Sequence, residues 1–146
     1  MATIEQLLAS KGYEIWSVSP DDSVYDAIKL MADKNIGALA VLQLGKLVGI
    51  FSERDYTRKV ILQDRSSKNT RVVDIMTAKV LHISPAVSIV ECMRIMSKNH
   101  IRHLPVVLEG ELIGMISITD VVKAIIDEQK DKITQLEHNL SWGETY

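Results

Sequence analysis

The sequence predicts a mixed α/β (α+β) protein. Two similar units, each running strand, helix, strand, strand, helix, pack about a pseudo-twofold axis, and an extended helix follows them. Three observations predict it. Residues 15–61 and 80–126 align without a gap and agree at 13 positions, among them Ser19/Ser84, Pro20/Pro85, Met31/Met96, Gly45/Gly110, Gly49/Gly114, Ser52/Ser117 and Asp55/Asp120. Most other pairs exchange one apolar residue for another, so apolar pattern and punctuation repeat together. Finally, a unit of about 50 residues is too small to bury a stable core by itself, and two units packed about a pseudo-twofold axis would bury both sheet faces.

The elements follow in order. Residues 1–12 form a helical lead-in, with "IEQLL" (Ile4–Leu8) as its apolar run. Copy one spans 13–63 and copy two 73–127. Each opens on a short strand, Glu14–Val18 or Lys79–Ile83, which Ser-Pro breaks. Ser23-x-x-Asp26 and Ser88-x-x-Glu91 then match a capping box. Apolar residues at helical spacing follow: Val24, Ala27, Ile28 and Met31, then Ile89, Cys92, Met93 and Met96. Those helices end near Asn35 and Asn99. Two strands come next, Leu39–Leu44 with Leu47–Phe51 and Leu104–Leu108 with Leu112–Ile116, joined by turns at Gly45 and Gly110. Ser52 and Ser117 start the last helix of each unit.

Between the copies lies a polar connector, 64–72, and "VVDIMT" (Val72–Thr77) leads into copy two. Beyond the second copy, residues 128–146 extend the last helix. Val122, Ile126, Gln129, Ile133, Leu136 and Leu140 recur at helical intervals with no breaker before Gly143. Such a stripe is exposed on a monomer, and self-association or docking on a neighbouring subunit would cover it. The other expectation is a helix folded back on its own module.

Bulk properties exclude several classes. The chain has 146 residues, 47% of them hydrophobic, and a net charge of −2. Neither DNA nor an anionic membrane is implied as a partner. Apolar runs such as Leu39–Leu42 and Leu112–Ile118 fall far short of the roughly 20 residues a membrane span needs. The start "MATIEQLLASKG" lacks the pattern of a secretion signal, and the single cysteine fits a reducing, cytoplasmic setting. His82, His100 and His103 lack metal-ligand spacing, so no metal is expected. No nucleophile elbow or acid/base pair appears, so no catalytic residue is assigned. Cys92 lies on an apolar helix face as an inert thiol. Arg58, Lys59, Arg65, Lys68 and Arg71 read as a solvated basic face.

The phrase Gly-x-x-Ser-x-x-Asp recurs at Gly49 and Gly114. A glycine lets a ligand or a neighbouring strand approach the backbone. Ser52 and Ser117 stand at helix starts, where free N–H groups attract anions such as phosphate. Asp55 and Asp120 lie one turn on, and a carboxylate accepts hydrogen bonds from both hydroxyls of a ribose. Ser-x-x-Asp is also a capping pattern that needs no ligand, and the two readings are compatible.

The stretches "SVSPDDSVYDAIKLMADKNIGALAVL…GKLVGIFSERD" and "HISPAVSIVECMRIMSKNHIRHLPVV…GELIGMISITD", with "DIMT" before the second, resemble a tandem pair of cystathionine-β-synthase (CBS) domains, a Bateman module. The likeness covers roughly residues 13–127 and is strongest to small stand-alone bacterial CBS-pair proteins. It implies clefts between the repeats that bind adenine nucleotides such as AMP, ADP, ATP, NAD or S-adenosylmethionine. By this resemblance Asp55 and Asp120 take the ribose, and Ser52, Arg54, Ser117, Thr119 and Arg102 take phosphate. Ser17, Val18, Gly37, Ala38, Leu39, His82, Ile83, His103, Leu104 and Pro105 line the adenine pocket. Gly37 corresponds to Arg102, Ala38 to His103 and Arg54 to Thr119, so the two clefts should be chemically unequal. The implied function is a non-catalytic nucleotide sensor, a homodimer acting on an unknown downstream protein. The alternative is a structural or adaptor dimer with empty or vestigial clefts.

Overall fold

The structure is a computed structural model that describes residues 2–144, with backbone only from 141 onward. Met1 and residues 145–146, the outer ends of the lead-in and of the extension, lie outside the described residues. The elements are α1 (Ile4–Lys11), β1 (Ser17–Val18), α2 (Val24–Lys34), β2 (Ala38–Gln43), β3 (Lys46–Ser52), α3 (Glu53–Tyr56), α4 (Val72–Ile75), α5 (Ile89–Asn99), β4 (His103–Leu108), β5 (Glu111–Ser117) and α6 (Ile118–Glu144). A π-helical turn, Thr57–Ile61, extends α3.

Local chemistry sets the boundaries. Ser23 and Ser88 cap α2 and α5 by accepting from the Asp26 and Glu91 backbone N–H groups. The expected capping box is only half formed at both helices: neither the Asp26 nor the Glu91 side chain reaches back to the cap N–H, and at α5 the Glu91 carboxylate turns to Arg94 at 2.6 Å. Both helices end on a left-handed residue, Asn35 and His100, which are equivalent under the repeat. Both hairpins turn on two residues of positive φ, Leu44-Gly45 and Glu109-Gly110, as a tight turn between twisted strands requires. Both carry a bulge at the same place, Val48 in one and Ile113 in the other.

The lead strands are shorter than expected, and unequally so. β1 pairs with β2 in parallel at Ser17 and Val18. Copy two keeps only an isolated bridge between Ile83 and Val106. Pro105 explains the difference. The Ala40 N–H donates to the Trp16 carbonyl in copy one. Proline at the equivalent position has no N–H to give Leu81.

Two cores form, and the lead-ins cross between them. Ile4, Leu7 and Leu8 of α1 are buried with Ile89, Met96, Leu104, Val106 and Ile116 of copy two. Val72 and Ile75 of α4 are buried with Val24, Met31, Leu39, Val41 and Phe51 of copy one. Symmetry-related backbone bonds fix both crossings. The Ile4 N–H donates to Val87 O and the Glu5 N–H to Pro85 O, while Val72 donates to Asp22 O and Val73 to Pro20 O.

These crossings account for Gly49 and Gly114, where a ligand or a strand was expected. Both glycines are buried. A Cβ on Gly114 would lie 2.7 Å from Leu8 Cδ2, and one on Gly49 would lie 2.6 Å from Met76 Sδ. What approaches Gly114 is the Leu8 side chain, while Gly49 is met by the Met76 side chain and, at 3.0 Å, by the backbone carbonyl of Thr77, which pairs with Ile50 as a neighbouring strand would. Gly49→Ala and Gly114→Ala are therefore expected to cost about 1–3 kcal/mol by overpacking. Leu8→Ala, which empties a buried site, should cost about 2–5 kcal/mol. Urea unfolding of each variant checks both values.

Candidate functional site

Two symmetry-related clefts lie between the repeats. The first, about 490 Å³, is lined by Ile50, Ser52, Glu53, Arg54, Asp55, Arg58, Lys59 and Thr77, and by Lys79–Leu81 and Ile101–His103 from the other copy. The second, about 550 Å³, is lined by Met115, Ser117, Thr119 and Asp120, and by Lys11, Glu14, Trp16 and Asn35–Ala38. Gly37 and His103 line both. A Cβ on Gly37 would stand 3.2 Å from His103 Cε1, so this pair is the wall between the clefts.

The first carboxylate is held on every side. Asp55 is 8% exposed. Its Oδ2 accepts from Ser52 N (3.0 Å) and Ser52 Oγ (3.1 Å). Its Oδ1 accepts from Thr77 Oγ1 (3.3 Å) and pairs with Lys59 Nζ (3.1 Å). Ser52 Oγ in turn accepts from the Asp55 N–H at 3.2 Å, completing a capping box. A carboxylate offers about four acceptor sites, and these bonds use them. Lys59 also donates to Ile75 O at 3.1 Å. A ribose hydroxyl reaches Asp55 only by displacing one of these partners, and the half-exposed lysine is the freest to move.

The second carboxylate is more open. Asp120 Oδ2 accepts from Ser117 N (2.9 Å) and from Lys11 Nζ (2.6 Å). Lys11 also donates to Met115 O at 2.6 Å. The crossings explain why the two sites differ. After the short α4 the chain turns extended, and Thr77 bridges Ile50 through two backbone bonds. α1 instead runs on to Lys11, whose ammonium group meets the equivalent carbonyl of Met115. Burial pushes the Asp120 carboxyl up, but the bonds from Lys11 and Ser117 outweigh it and hold the group below its ordinary value.

The clefts are electrically unequal. Arg54, Arg58, Lys59, Lys79 and Arg102 all line the first. The residues equivalent to Lys79, Arg102, Arg54 and Lys59 in the repeat are Glu14, Gly37, Thr119 and Ala124. Arg54 Nη1 also donates to His100 O at the end of α5, tying the two copies together. Between the clefts, burial lowers the proton affinity of His103, and Lys11, Arg102 and Arg54 lower it further against the opposing pull of Asp120.

Of the residues assigned from sequence, Gly37, Ala38, Ser52, Arg54, Asp55, Arg102, His103, Ser117, Thr119 and Asp120 line a cleft. Val18, Leu39, Ile83 and Leu104 are buried in the two cores. Pro105 is buried in β4, Ser17 is half-buried in β1 and His82 is exposed. The lining comes instead from residues just upstream in the same lead segments, Glu14 and Trp16 in one copy and Lys79–Leu81 in the other. Arg58 and Lys59, read as a solvated basic face, line the first cleft. Lys11, Glu14 and Thr77 were not singled out, because only the crossing of the lead-ins brings them in.

Cys92 is fully buried, and burial pushes its thiol up to about 11, well out of the reactive range. Among the described residues no group of three His, Cys, Asp or Glu side chains is placed to hold a metal ion. No helix among them is long and apolar enough to cross a membrane.

A model of the CBS domain family matches residues 9–61 and again 72–127. A curated relative, the CBS domain-containing protein CBSX3, mitochondrial, of Arabidopsis thaliana, is 42% identical over 97% of this chain and 73% of its own length. A solved structure of a putative signal-transduction protein with CBS domains from Burkholderia ambifaria is 53% identical with a TM-score of 0.85, covering 88% of this chain and 96% of that one. The fold is shared by the CBS domain pair of protein MJ0100, solved with 5′-methylthioadenosine and S-adenosyl-L-methionine, at 22% identity and a TM-score of 0.78 over 88% of this chain and 98% of that one.

Lys11→Met is expected to raise the Asp120 proton affinity toward the ordinary carboxylate value without unfolding the chain, read by NMR titration of the carboxyl carbon. A neutral, half-buried His103 makes stability fall as pH falls. The folded state binds its proton less readily than the unfolded chain, so its contribution is complete above the ordinary imidazole value of about 6.5 and is lost as pH drops below it. His103→Gln should flatten that part of the urea-midpoint profile that falls away below about pH 6.5.

Proposed function

The chain belongs to the CBS domain family as a tandem pair, and from that premise we propose that it is a non-catalytic regulatory module that senses adenine nucleotides. The ligand class is AMP, ADP, ATP or NAD, bound in the clefts between the repeats. The observation that carries this reading is the pairing of two Ser-x-x-Asp carboxylates, one in each cleft, with a concentration of cations in the first cleft alone. Five lysine and arginine side chains around one opening suit a phosphate chain, and Arg54 and Arg102 offer planar forks to its oxygens. The second cleft, with Glu14 and Asp120 against Lys11, suits a nucleoside part or a ligand of low negative charge.

The mechanism follows from what already occupies the carboxylates. In the first cleft a nucleotide ribose would displace Lys59 from Asp55 and free its ammonium group for phosphate. In the second it would compete with Lys11 for Asp120. Lys11 ends α1, whose apolar face is packed in the core of copy two, so occupancy of the second cleft would press on that packing. Binding transmits a signal only through different affinity for two such arrangements. The module would act as a homodimer on a downstream protein.

Calorimetric titration with AMP, ADP, ATP and NAD tests the reading on protein freed of co-purified nucleotide. Saturable binding is expected, with polyphosphates favouring the first cleft and weakening as salt rises. Arg102→Gln should weaken them roughly 10-fold or more, the scale of one lost charged hydrogen bond, and Asp120→Asn should affect the second cleft alone. Absence of heat and of thermal stabilisation with all four ligands would overturn the sensor and favour an adaptor with vestigial clefts.

A further inference from the structure

We infer that the distal part of α6 is one strand of a parallel two-stranded coiled coil formed with a second copy of this chain. The inference deepens the homodimer of the preceding section and is independent of which ligand fills the clefts. α6 has two distinct faces. Val121, Ala124 and Ile125 pack on the core of copy two. A second face, about a quarter-turn away, is left open: Val122 is 41% exposed, Ile126 47%, Ile133 54%, Leu136 63% and Leu140 67%. The family match ends at residue 127, so most of this face lies beyond what the family model describes.

The spacing of that face is specific. Val122, Ile126, Gln129, Ile133, Leu136 and Leu140 alternate steps of four and three without interruption. That is a 3.5-residue repeat, the seam of a left-handed coiled coil, and it is narrower than the stripe a helix turns toward a globular core. Ile126, Ile133 and Leu140 occupy a positions, and Val122, Gln129 and Leu136 occupy d positions. Isoleucine at two of the three a positions, followed by leucine at d in the Ile133/Leu136 layer, fits two parallel strands, and Gln129 is the one polar residue in the seam. The seam spans 19 residues, close to 28 Å of helix at about 1.5 Å per residue.

The flanking charges select a second copy as the occupant. In a parallel pair each g residue faces the e residue five positions on in the partner helix. Here Lys132 at g faces Glu137 at e of the other copy, and the twofold repeats the attraction on the opposite side. The same helix therefore supplies both members of each pair. A partner of different sequence would need the same pitch and the complementary charges.

The test uses the full chain. Light scattering after size exclusion should give a dimer mass. Leu136→Lys, at an exposed side chain outside both cores, should keep a cooperative unfolding transition, weaken dimerisation at least 100-fold and give a monomer at micromolar concentration, with any loss of thermal midpoint limited to the concentration-dependent part. Lys132→Glu should weaken the dimer, and adding Glu137→Lys should restore it. Leu140→Cys should form a disulfide between copies under mild oxidation, since a parallel pair sets residue 140 against itself. A dimer indifferent to Leu136→Lys would overturn the inference and place the interface elsewhere on the module. A dimer that Leu136→Lys breaks, but in which Leu140→Cys never cross-links, would overturn the parallel arrangement. Nucleotide titration of the Leu136→Lys variant reports separately on the clefts, so the two readings can fail independently.

Discussion

The crossing of the two lead-in helices is the constraint on which the rest depends. α1 precedes copy one but completes the core of copy two, and α4 precedes copy two but completes the core of copy one. Neither half has a closed core without chain from across the molecule. Leu8 and Met76 press on Gly114 and Gly49 at the centre of each crossing. The clefts lie where these segments end, so Lys11 and Thr77 reach the two aspartates as a direct result of how the core is closed.

Much of this is legible in the sequence, because duplication converts weak local signals into strong ones. A lone Ser-x-x-Asp says little, whereas the same phrase after Gly and a strand, twice in register, marks equivalent places in a fold. The hairpins, the caps at Ser23 and Ser88 and the length of α6 follow from residues whose preferences are local. The crossing is not local, and nothing in "IEQLL" or "VVDIMT" states which copy it will cover. For that reason the glycines look like ligand contacts, and Lys11, Glu14 and Thr77 go unmarked. The adenine-pocket residues taken from the lead strands fall one or two positions downstream of those that face the cleft. At Val18 and Ile83 the lead segments enter the cores, so the residues that face the clefts are those just before the pairing begins. Pro105 is legible as a strand residue, yet its effect on the lead strand of copy two requires knowing that β4 lies beside it.

The two halves share a backbone plan and differ in chemistry at corresponding points. Lys79 stands where symmetry places Glu14, Arg102 where it places Gly37, and Lys59 where it places Ala124. Glu14 and Gly37 border the second cleft as Lys79 and Arg102 border the first, whereas Ala124 packs on the core of copy two where Lys59 reaches the first cleft. His103 and Gly37 make the asymmetry local to one wall: a bulky ring from one copy is accommodated because its neighbour has no side chain. Duplication thus supplies a rigid frame with twofold logic, and substitutions at the seam give each opening its own electrical character.

The crossed lead-ins also set the order in which the chain can fold as it leaves the ribosome. α1 is made before either copy, yet its binding surface, from Pro85 through Val121, is made only after copy one. Ile4, Leu7 and Leu8 must wait exposed while more than a hundred residues are synthesised, on the order of ten seconds at roughly 5–20 residues per second. Copy one faces the same delay on a smaller scale, since α4 follows it closely. α1 is therefore a part of the nascent chain that needs shielding by a chaperone, or that invites a premature partner.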